Sequence, residues 1–219
     1  MTARPPAVLE PRAIAERARA AGILLTAEAA QSLAAHAREV LAANERLHLT
    51  AITQPEDFLE RHLGEAFEGA ALVPEETQGV LVDLGSGNGY PGIPLALSRP
   101  GLQLVLAEAS SKKAAFLREA LIAAKLDRGR VLEAHVARTV DLADVPPVSV
   151  LTTRAMGGWE RIVPKLISRL APEGIVLVWA GSDLSALLAR ATWARLRVVT
   201  KRRLPGRDRS SVYLLRLHK

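Results

Sequence analysis

The chain has 219 residues, a hydrophobic content of 49%, a formal net charge of +6 and no cysteine. This length can bury the core of one large domain, or of one domain that carries a smaller extension. The missing cysteine excludes disulfides, thiolate metal sites and cysteine nucleophiles. The histidines are scattered, and His62 with Glu65 is the closest pair at helical spacing, too few ligands for a zinc site. We therefore expect no metal ion.

No stretch of the sequence approaches the roughly 18 to 20 uncharged apolar residues of a membrane span. The first residues, MTARPPAVLEPR, lack the apolar core of a signal peptide. We therefore expect a soluble, cytoplasmic protein without membrane contact.

The positive charge is concentrated late in the chain. Residues 195–219 carry nine Lys or Arg against Asp208 alone, a net charge of +8, so the residues before them carry about −2. Arginine predominates, and its planar guanidinium suits phosphates and base edges. Such a segment indicates either a nucleic-acid interface or a solvated surface, and composition alone does not choose between them.

The sequence before residue 78 has helical periodicity. Residues 14–21 predict a short first helix. Thr26 is a suitable N-cap for a long second helix, in which apolar residues recur at helical spacing from Leu33 onward. Pro55 suits the first turn of a third helix that runs to about residue 71. These helices predict an N-terminal helical extension over residues 1–77.

After residue 78, short apolar runs alternate with amphipathic stretches. This alternation predicts right-handed βαβ units and a mainly parallel sheet in a Rossmann-like domain over residues 78–219. The last two strands lack a helix between them, so we expect a hairpin that makes one edge antiparallel. The predicted strands are 80–83, 103–108, 130–134, 148–152, 174–179, 195–202 and 211–217, and the predicted helices are 111–125, 158–170 and 184–194.

A glycine-rich turn follows the first predicted strand. In a doubly wound sheet this turn lies at the topological switch point, where ligands bind beyond the carboxyl ends of the strands. Gly85, Gly87 and Gly89 permit positive φ and close approach of a ligand. Their spacing is not the dinucleotide pattern G-x-G-x-x-G, which would place a glycine at Tyr90, so a nicotinamide-linked dehydrogenase is disfavoured.

An acidic residue ends the second predicted strand. Glu108 lies 23 residues after Gly85, where a carboxylate can accept both hydroxyls of an unphosphorylated ribose. Together with Asp83 on the first strand, this pattern favours a nucleoside cofactor with a cationic sulfonium, S-adenosylmethionine.

The stretch DLGSGNGYPGIPLAL resembles the first motif of the bacterial small-subunit rRNA guanine-N7 methyltransferases, the RsmG or glucose-inhibited division protein B family. The stretches NERLHLTAI, RHLGEAF, AEASSKKAAFLREA and TTRAMGGW follow the family in order along nearly the whole chain. The resemblance implies a class I methyltransferase fold with an N-terminal helical extension. It also implies a guanine in the decoding-region loop of 16S rRNA as the substrate, with ribosomal RNA or the small ribosomal subunit as the partner.

The resemblance also implies site residues. It places Glu108 on the ribose, the backbone of Val136 and Ala137 near the adenine, and Arg154 at the mouth of the site. From the residues and the resemblance together, the predicted cofactor-binding residues are Asp83, Gly85, Gly87, Gly89, Tyr90, Glu108, Val136, Ala137 and Arg154.

Guanine N7 has a free lone pair and no proton, so methyl transfer needs alignment rather than a general base. We therefore name no catalytic residue, and take Arg154 and Arg209 as candidates for positioning the guanine or a phosphate. The predicted nucleic-acid contacts are Lys112, Lys113, Arg202, Arg203, Arg207 and Arg209. We expect a monomer.

The sequence also departs from the family at several positions. His48, Ala66, His135, Ser149 and Ala180 stand where the family usually has other residues. These differences leave two alternatives open: a methyltransferase of the same ancestry with a different substrate, and a non-catalytic rRNA-binding relative.

Overall fold

The computed structural model describes residues 9–181, 184–207 and 209–218. The helices are α1 (Pro11–Ala20), α2 (Ala27–Leu47), α3 (Pro55–Phe58), α4 (Glu65–Ala70), α5 (Gly92–Ser98), α6 (Ser111–Ala123), α7 (Trp159–Leu166) and α8 (Ser185–Leu188). A π-helical segment, Leu59–Gly64, joins α3 to α4. The strands are β1 (Gly79–Leu84), β2 (Leu102–Glu108), β3 (Gly129–Glu133), β4 (Val148–Thr153), β5 (Leu170–Ala180), β6 (Leu196–Arg203) and β7 (Ser211–Leu217).

The strands form one sheet in the order β3-β2-β1-β4-β5-β7-β6. The first five strands pair in parallel, and β7 is antiparallel to both β5 and β6. The predicted α/β fold, the seven strands and the antiparallel C-terminal hairpin are therefore confirmed. The strand order reverses beside β1, so the β1–α5 turn lies at the switch point where such folds bind ligands.

Side chains alternate between the two faces of the sheet, as strand geometry requires. On β1, Leu81 packs against the N-terminal helices, α5 and α6, whereas Val80 and Val82 belong to the core under α7. The first of these cores contains Ile14 of α1 and Leu33 of α2, so the N-terminal helices share one core with the sheet. The division of the chain at residue 77 stays a prediction.

The start of α2 is the predicted one, because the Thr26 hydroxyl oxygen accepts a hydrogen bond from the Ala29 backbone N–H at 3.1 Å. The helix ends at His48, whose φ of 47° is in the left-handed region. Asparagine and glycine are the ordinary residues for this conformation. In this chain His48 occupies that C-cap position.

Two predicted helices differ from the structure. The helix predicted over 184–194 is wrong, because α8 ends at Leu188 and a 3₁₀ turn, Ala191–Trp193, follows it. No residue of α8 is buried, so packing does not extend it. The helix predicted over 158–170 ends early, at Leu166, followed by a 3₁₀ turn, because Leu170 already pairs with Val148 in the sheet.

Helix α4 carries two buried acidic residues that join distant elements. Glu65 pairs with Arg154 at 3.3 Å and with Arg207 at 2.9 Å. Glu68 pairs with Arg17 of α1 at 3.4 Å and with Arg202 of β6 at 2.7 Å. These ion pairs tie the N-terminal helices to the C-terminal hairpin. In the described part of the chain, no helix is long and apolar enough to cross a membrane.

Candidate active site

A cleft of about 550 Å³ opens at the carboxyl edge of the sheet. Small-molecule sites usually measure about 300 to 1,000 Å³. Its floor is the glycine turn after β1, and its walls come from the ends of β4 and β5, the N-terminal segment and the C-terminal hairpin. The lining residues that carry polar groups or backbone donors include Thr50, His62, Glu65, Gly85, Ser86, Gly87, Asn88, Lys113, Arg154 and Arg207.

The glycine turn has the backbone conformation that the sequence predicted. Gly85 and Gly87 have φ values of 65° and 54°, which L side chains rarely adopt. A Cβ on Gly85 would lie 2.9 Å from Cγ of Met156, whereas a Cβ on Gly87 would meet only the Gly85 carbonyl at 3.8 Å. Both residues line the cleft. Gly89, with φ of 87°, faces inward against Ile93.

Glu108 ends β2 directly beside this turn. One carboxylate oxygen accepts from the Gly87 backbone N–H at 2.9 Å, and the other accepts from the Ser110 N–H at 2.9 Å. Each oxygen still has a lone pair for a further donor, such as a ribose hydroxyl. Glu108 therefore fixes the glycine turn against the end of β2.

A second cavity of about 180 Å³ adjoins the first through Gly85. It is lined by Glu108, Val136 and Met156, with His135 at its rim. Ala137 does not line it, and its backbone N–H donates to Oδ2 of Asp141 at 2.9 Å. The predicted adenine position is thus a small apolar slot beside the predicted ribose acceptor, as a nucleoside requires.

Asp83 lies behind the turn and lines neither cavity. It is 1% exposed, and a Cβ on Gly92 would lie 2.8 Å from its Oδ2. Burial raises the pKa of Asp83 to about 7, although the positive charge of Arg154 acts in the opposite direction. The Asp83 backbone carbonyl accepts from the Ser86 hydroxyl at 2.8 Å, while the carboxyl group packs behind the turn, and its predicted contact with a cofactor stays a prediction.

Tyr90 is the centre of a buried aromatic stack. Its ring stacks on His36 with 4.6 Å between centroids and on His62 with 5.0 Å, and Phe58 packs edge-on. Burial lowers the pKa of His36 to about 4. Burial, reinforced by the charge of Arg154, lowers the pKa of His62 to about 2. Both rings are therefore neutral at physiological pH, and Tyr90 joins the glycine turn to the N-terminal helices.

Arg154 follows β4 at the cleft, as predicted, and three hydrogen bonds hold its guanidinium. Its Nη1 donates to the Arg61 carbonyl at 2.7 Å and to Glu65 at 3.3 Å, and its Nη2 donates to Nδ1 of His62 at 2.8 Å. The side chain is 12% exposed. Burial lowers the pKa of Arg154, while Glu65 acts against that shift. Arg154 thus holds the N-terminal wall of the cleft, residues 61–65, against the end of β4.

The predicted nucleic-acid residues differ in their exposure and in their position relative to the cleft. Arg207 and Arg202 pair with Glu65 and Glu68, each with a side chain 36% exposed. Lys113 lines the cleft, whereas Lys112 lines a separate groove on α6. Two further residues, Arg203 and Arg209, are exposed on β6 and in the β6–β7 loop. These placements leave the predicted RNA contacts as predictions.

Several cleft residues were missed by the sequence analysis. Thr50, His62, Glu65 and Trp179 all line the cavity. Thr50 and His62 lie within the stretches NERLHLTAI and RHLGEAF, so the resemblance was the available signal. Trp179 had no such signal, because an apolar residue near the end of a strand is typical of a core. Its Nε1 donates to the Glu65 carbonyl at 3.0 Å.

Three of the positions that depart from the family, Ala66, Ser149 and Ala180, lie in different environments. Ala66 is fully buried, and Ser149 fills the space beside Gly79. Ala180 lines the cleft, at the end of β5. Of these three, only Ala180 is placed to change what the cleft contacts. In the described ranges, no group of three potential ligands is placed to hold a metal ion.

The described residues fit a nucleoside cofactor. A side chain at Gly85 would meet Met156, so the turn keeps backbone exposed where a ligand must approach closely. The carboxylate of Glu108 and the apolar slot beside Val136 provide a ribose acceptor and a base site in the order along the sheet edge that a nucleoside needs.

Comparisons with known proteins agree with this geometry. The model of the family described as GidB, rRNA small subunit methyltransferase G, matches residues 29–199. The ribosomal RNA small subunit methyltransferase G of Sorangium cellulosum (strain So ce56) is 36% identical over 186 residues, covering 84% of this chain and 77% of the relative. The protein of the same name from Myxococcus xanthus (strain DK1622) is 34% identical over 200 residues, covering 88% and 89%.

A solved structure of the ribosomal protein L11 methylase from Lactobacillus delbrueckii subsp. bulgaricus superposes with a TM-score of 0.57 at 15% identity. The match covers 73% of this chain and 79% of the methylase, and it shows a shared fold. The family match, by contrast, includes both the glycine turn and the N-terminal residues that line the cleft. On this evidence the chain belongs to the rRNA small subunit methyltransferase G family.

Proposed function

We propose that this protein transfers a methyl group from S-adenosylmethionine to N7 of a guanine in 16S ribosomal RNA, in the decoding-region loop. The observation that carries the proposal is the family match over residues 29–199. This range includes all the cleft-lining residues except those of the C-terminal hairpin. The small ribosomal subunit, or an assembling form of it, is the proposed partner. A monomer in the cytoplasm is the proposed working form, with residues 1–77 as a helical extension of the methyltransferase domain.

The cofactor is held, in this proposal, by the floor of the cleft. Gly85 and Gly87 expose backbone to the methionyl part, and the free lone pairs of Glu108 accept the ribose hydroxyls. The adenine enters the slot beside Val136. When bound, S-adenosylmethionine supplies an electrophilic methyl group on a sulfonium.

The protein's own part in the reaction is alignment. Guanine N7 offers an in-plane lone pair, so no side chain has to remove a proton. His62 is neutral and Glu65 pairs with Arg154, which reduces the positive charge that this wall of the cleft presents to N7. This pairing matters because positive charge moves from the sulfonium to the base during transfer. Displacement of water by the bound cofactor and base strengthens the alignment.

RNA approaches, in this proposal, over the C-terminal hairpin. Arg203 and Arg209 are exposed there, and Lys113 lies at the cleft. Contacts of lysine and arginine with phosphates release counterions, so binding should weaken steeply with salt.

The test is methyl transfer from labelled S-adenosylmethionine to small ribosomal subunits that lack the modification. The proposal expects one labelled nucleotide, identified as N7-methylguanine by nuclease digestion and mass spectrometry. Label on a different RNA would favour a methyltransferase with another substrate. Salt-sensitive binding of the subunit without transfer, at saturating cofactor, would favour a non-catalytic rRNA-binding protein and contradict the proposal.

A further inference from the structure

Thr50 lies in the cleft wall at a fixed position. Its backbone N–H donates to Oδ1 of Asn44 at 2.8 Å, and Nδ2 of Asn44 donates to the Thr50 carbonyl at 3.0 Å. The Asn44 amide, on the last turn of α2, thus clamps the residue from both sides. The Thr50 side chain faces the His62 ring, and Thr50 lines the same cleft as the glycine turn.

The tautomer of His62 follows from its two partners. Arg154 has only donors, so Nδ1 of His62 must accept from Nη2 of Arg154, 2.8 Å away. A neutral imidazole carries one N–H, which must then be on Nε2. Nε2 lies 2.8 Å from the hydroxyl oxygen of Thr50, so His62 donates to Thr50.

The Thr50 hydroxyl oxygen accepts a second hydrogen bond. The backbone N–H of Ile52 donates to it at 2.9 Å. A hydroxyl oxygen has two lone pairs, and both are now used. The hydroxyl can therefore only donate its own hydrogen, and no described residue accepts that hydrogen.

We propose that Thr50 is a specificity-determining residue: its hydroxyl, limited to donation by His62 and Ile52, binds O6 of the target guanine. The inference rests on the proposed function, since it assigns one side chain to the base that the reaction methylates. O6 neighbours N7 on the same edge of guanine, and adenine presents an amino group there instead. A hydroxyl that cannot accept a hydrogen bond satisfies the guanine oxygen and leaves the adenine amino group unpaired.

The cofactor's methionyl carboxylate is another acceptor that a hydroxyl could bind. The surroundings of Thr50 favour the base, because Leu49, Ala51 and Ile52 line the cleft beside it. These apolar neighbours suit the face of a flat base, whereas a carboxylate would be drawn to the cationic side chains of the same cleft, Lys113, Arg154 and Arg207. The test separates these two acceptors by measuring cofactor affinity and transfer independently.

The experiment compares the unaltered protein with Thr50→Val and Thr50→Ser. The valine variant removes the hydroxyl at nearly constant volume, and the serine variant keeps it. The acceptors are small subunits reconstituted with 16S rRNA that carries guanine, inosine or 2-aminopurine at the nucleotide that the unaltered protein methylates. Inosine keeps O6, and 2-aminopurine lacks it.

Valine also leaves the N–H groups of His62 and Ile52 without their acceptor. This structural cost is the same for every base, so it cancels when the acceptors are compared. We expect Thr50→Val to lower kcat/KM on guanine and inosine by about tenfold or more beyond its effect on 2-aminopurine. We expect Thr50→Ser to stay within about threefold of the unaltered protein, and calorimetry to give the same Kd for S-adenosylmethionine in all three proteins.

An equal loss on all three bases would overturn the inference, and so would a weaker cofactor Kd in the valine variant, because the hydroxyl would then bind the methionyl carboxylate. In either case the unaltered protein still methylates guanine, and the proposed function stands. An unaltered protein that binds cofactor but methylates no small-subunit RNA would overturn the proposed function, and this inference with it.

Discussion

Arg154 and His62, which are 92 positions apart in the sequence, meet at 2.8 Å between Nη2 and Nδ1. This hydrogen bond joins the end of β4 to the π-helical segment between α3 and α4. The same guanidinium also bonds Glu65 and the Arg61 carbonyl, so one side chain fixes the N-terminal wall of the cleft to the sheet. The wall that faces the substrate is thereby built from two distant parts of the chain.

Replacing Arg154 by methionine should therefore damage both stability and transfer. The change removes the donor to His62 and leaves Glu65 with Arg207 as its remaining partner. Because these bonds involve buried charged groups, we expect the free energy of unfolding to fall by about 1.5 to 3 kcal/mol. Urea denaturation measures this loss, and Arg197→Met on the exposed side of β6 is the matched control. An Arg154→Met protein as stable as the control would show that the wall does not depend on Arg154.

Gly85 and Gly206 form a matched pair, with φ values of 65° and 66°. An alanine at either position bears the cost of a left-handed L-residue, about 1 to 2 kcal/mol. At Gly206 the new Cβ meets nothing within 4 Å, whereas at Gly85 it lies 2.9 Å from Met156. We expect Gly85→Ala to weaken S-adenosylmethionine binding at least about tenfold in calorimetry, because the turn must shift. Gly206→Ala should leave the Kd unchanged, and equal Kd values for both variants would contradict a role of the turn in cofactor binding.

Glu108→Gln tests the acceptor beside the glycine turn. The carboxylate accepts from two backbone N–H groups, so a glutamine amide must point its own NH₂ at one of them. We expect the Kd for S-adenosylmethionine to rise by about tenfold or more, because both the turn and the proposed ribose contact are impaired. Glu133→Gln, at the end of the neighbouring strand and 37% exposed, is the control. The role of Glu108 is excluded if both variants bind the cofactor as the unaltered protein does.

The fold was largely predictable because its signals are local. Each strand is a short apolar run, and the residues that bound the runs, such as the glycines after β1, are visible in the sequence. In the segment 184–194 the buried residues are the flanking Leu184 and Trp193, and Leu187 and Leu188 of α8 are only partly buried against the same core, so packing supports a single helical turn. Amphipathic periodicity predicts a helix only where tertiary contacts complete it.

The site was predictable only in part, because many of its side-chain contacts join segments that are distant in the sequence. Gly85 and Glu108 follow strands, and their positions at one sheet edge follow from parallel pairing alone. The stack of His36, Tyr90 and His62 joins three segments that are distant in the sequence, and no periodicity of the sequence predicts it. The ion pair of Arg207 was equally hard to predict, since Glu65 lies on a helix that the sequence does not place beside Arg207.

Arg209 and Arg202 should behave differently toward RNA. Arg209 is exposed in the loop between β6 and β7, whereas Arg202 bonds Glu68 at 2.7 Å. If Arg209 contacts a phosphate, Arg209→Ala should weaken 16S rRNA binding and reduce the slope of log K against log salt by about 1. Arg202→Ala should leave that slope unchanged and lower the free energy of unfolding by about 1 kcal/mol, a value reduced by solvent screening. Filter binding at several salt concentrations measures the slopes, and an unchanged slope for Arg209→Ala would place the phosphates elsewhere.

Asp83 should make the stability of the protein depend on pH in a direction opposite to that of most carboxylates. Burial raises its pKa from 3.8 to about 7, so the folded state binds a proton that the unfolded state releases. Its contribution is fully present below pH 3.8 and is lost as the pH rises toward 7. Asparagine resembles the protonated acid at every pH.

Asp83→Asn should therefore match the unaltered protein near pH 4 and exceed its stability at pH 8, by at most about 4 kcal/mol for a pKa change of this size. His36 and His62, whose lowered pKa values weaken the fold in acid, are present in both proteins, so their effect cancels in the difference. Urea denaturation across this range measures the difference, with the exposed Asp144→Asn as control. A constant difference at all pH values would mean that Asp83 is ionised in the folded state throughout, and that neighbouring charge, rather than burial, governs its titration.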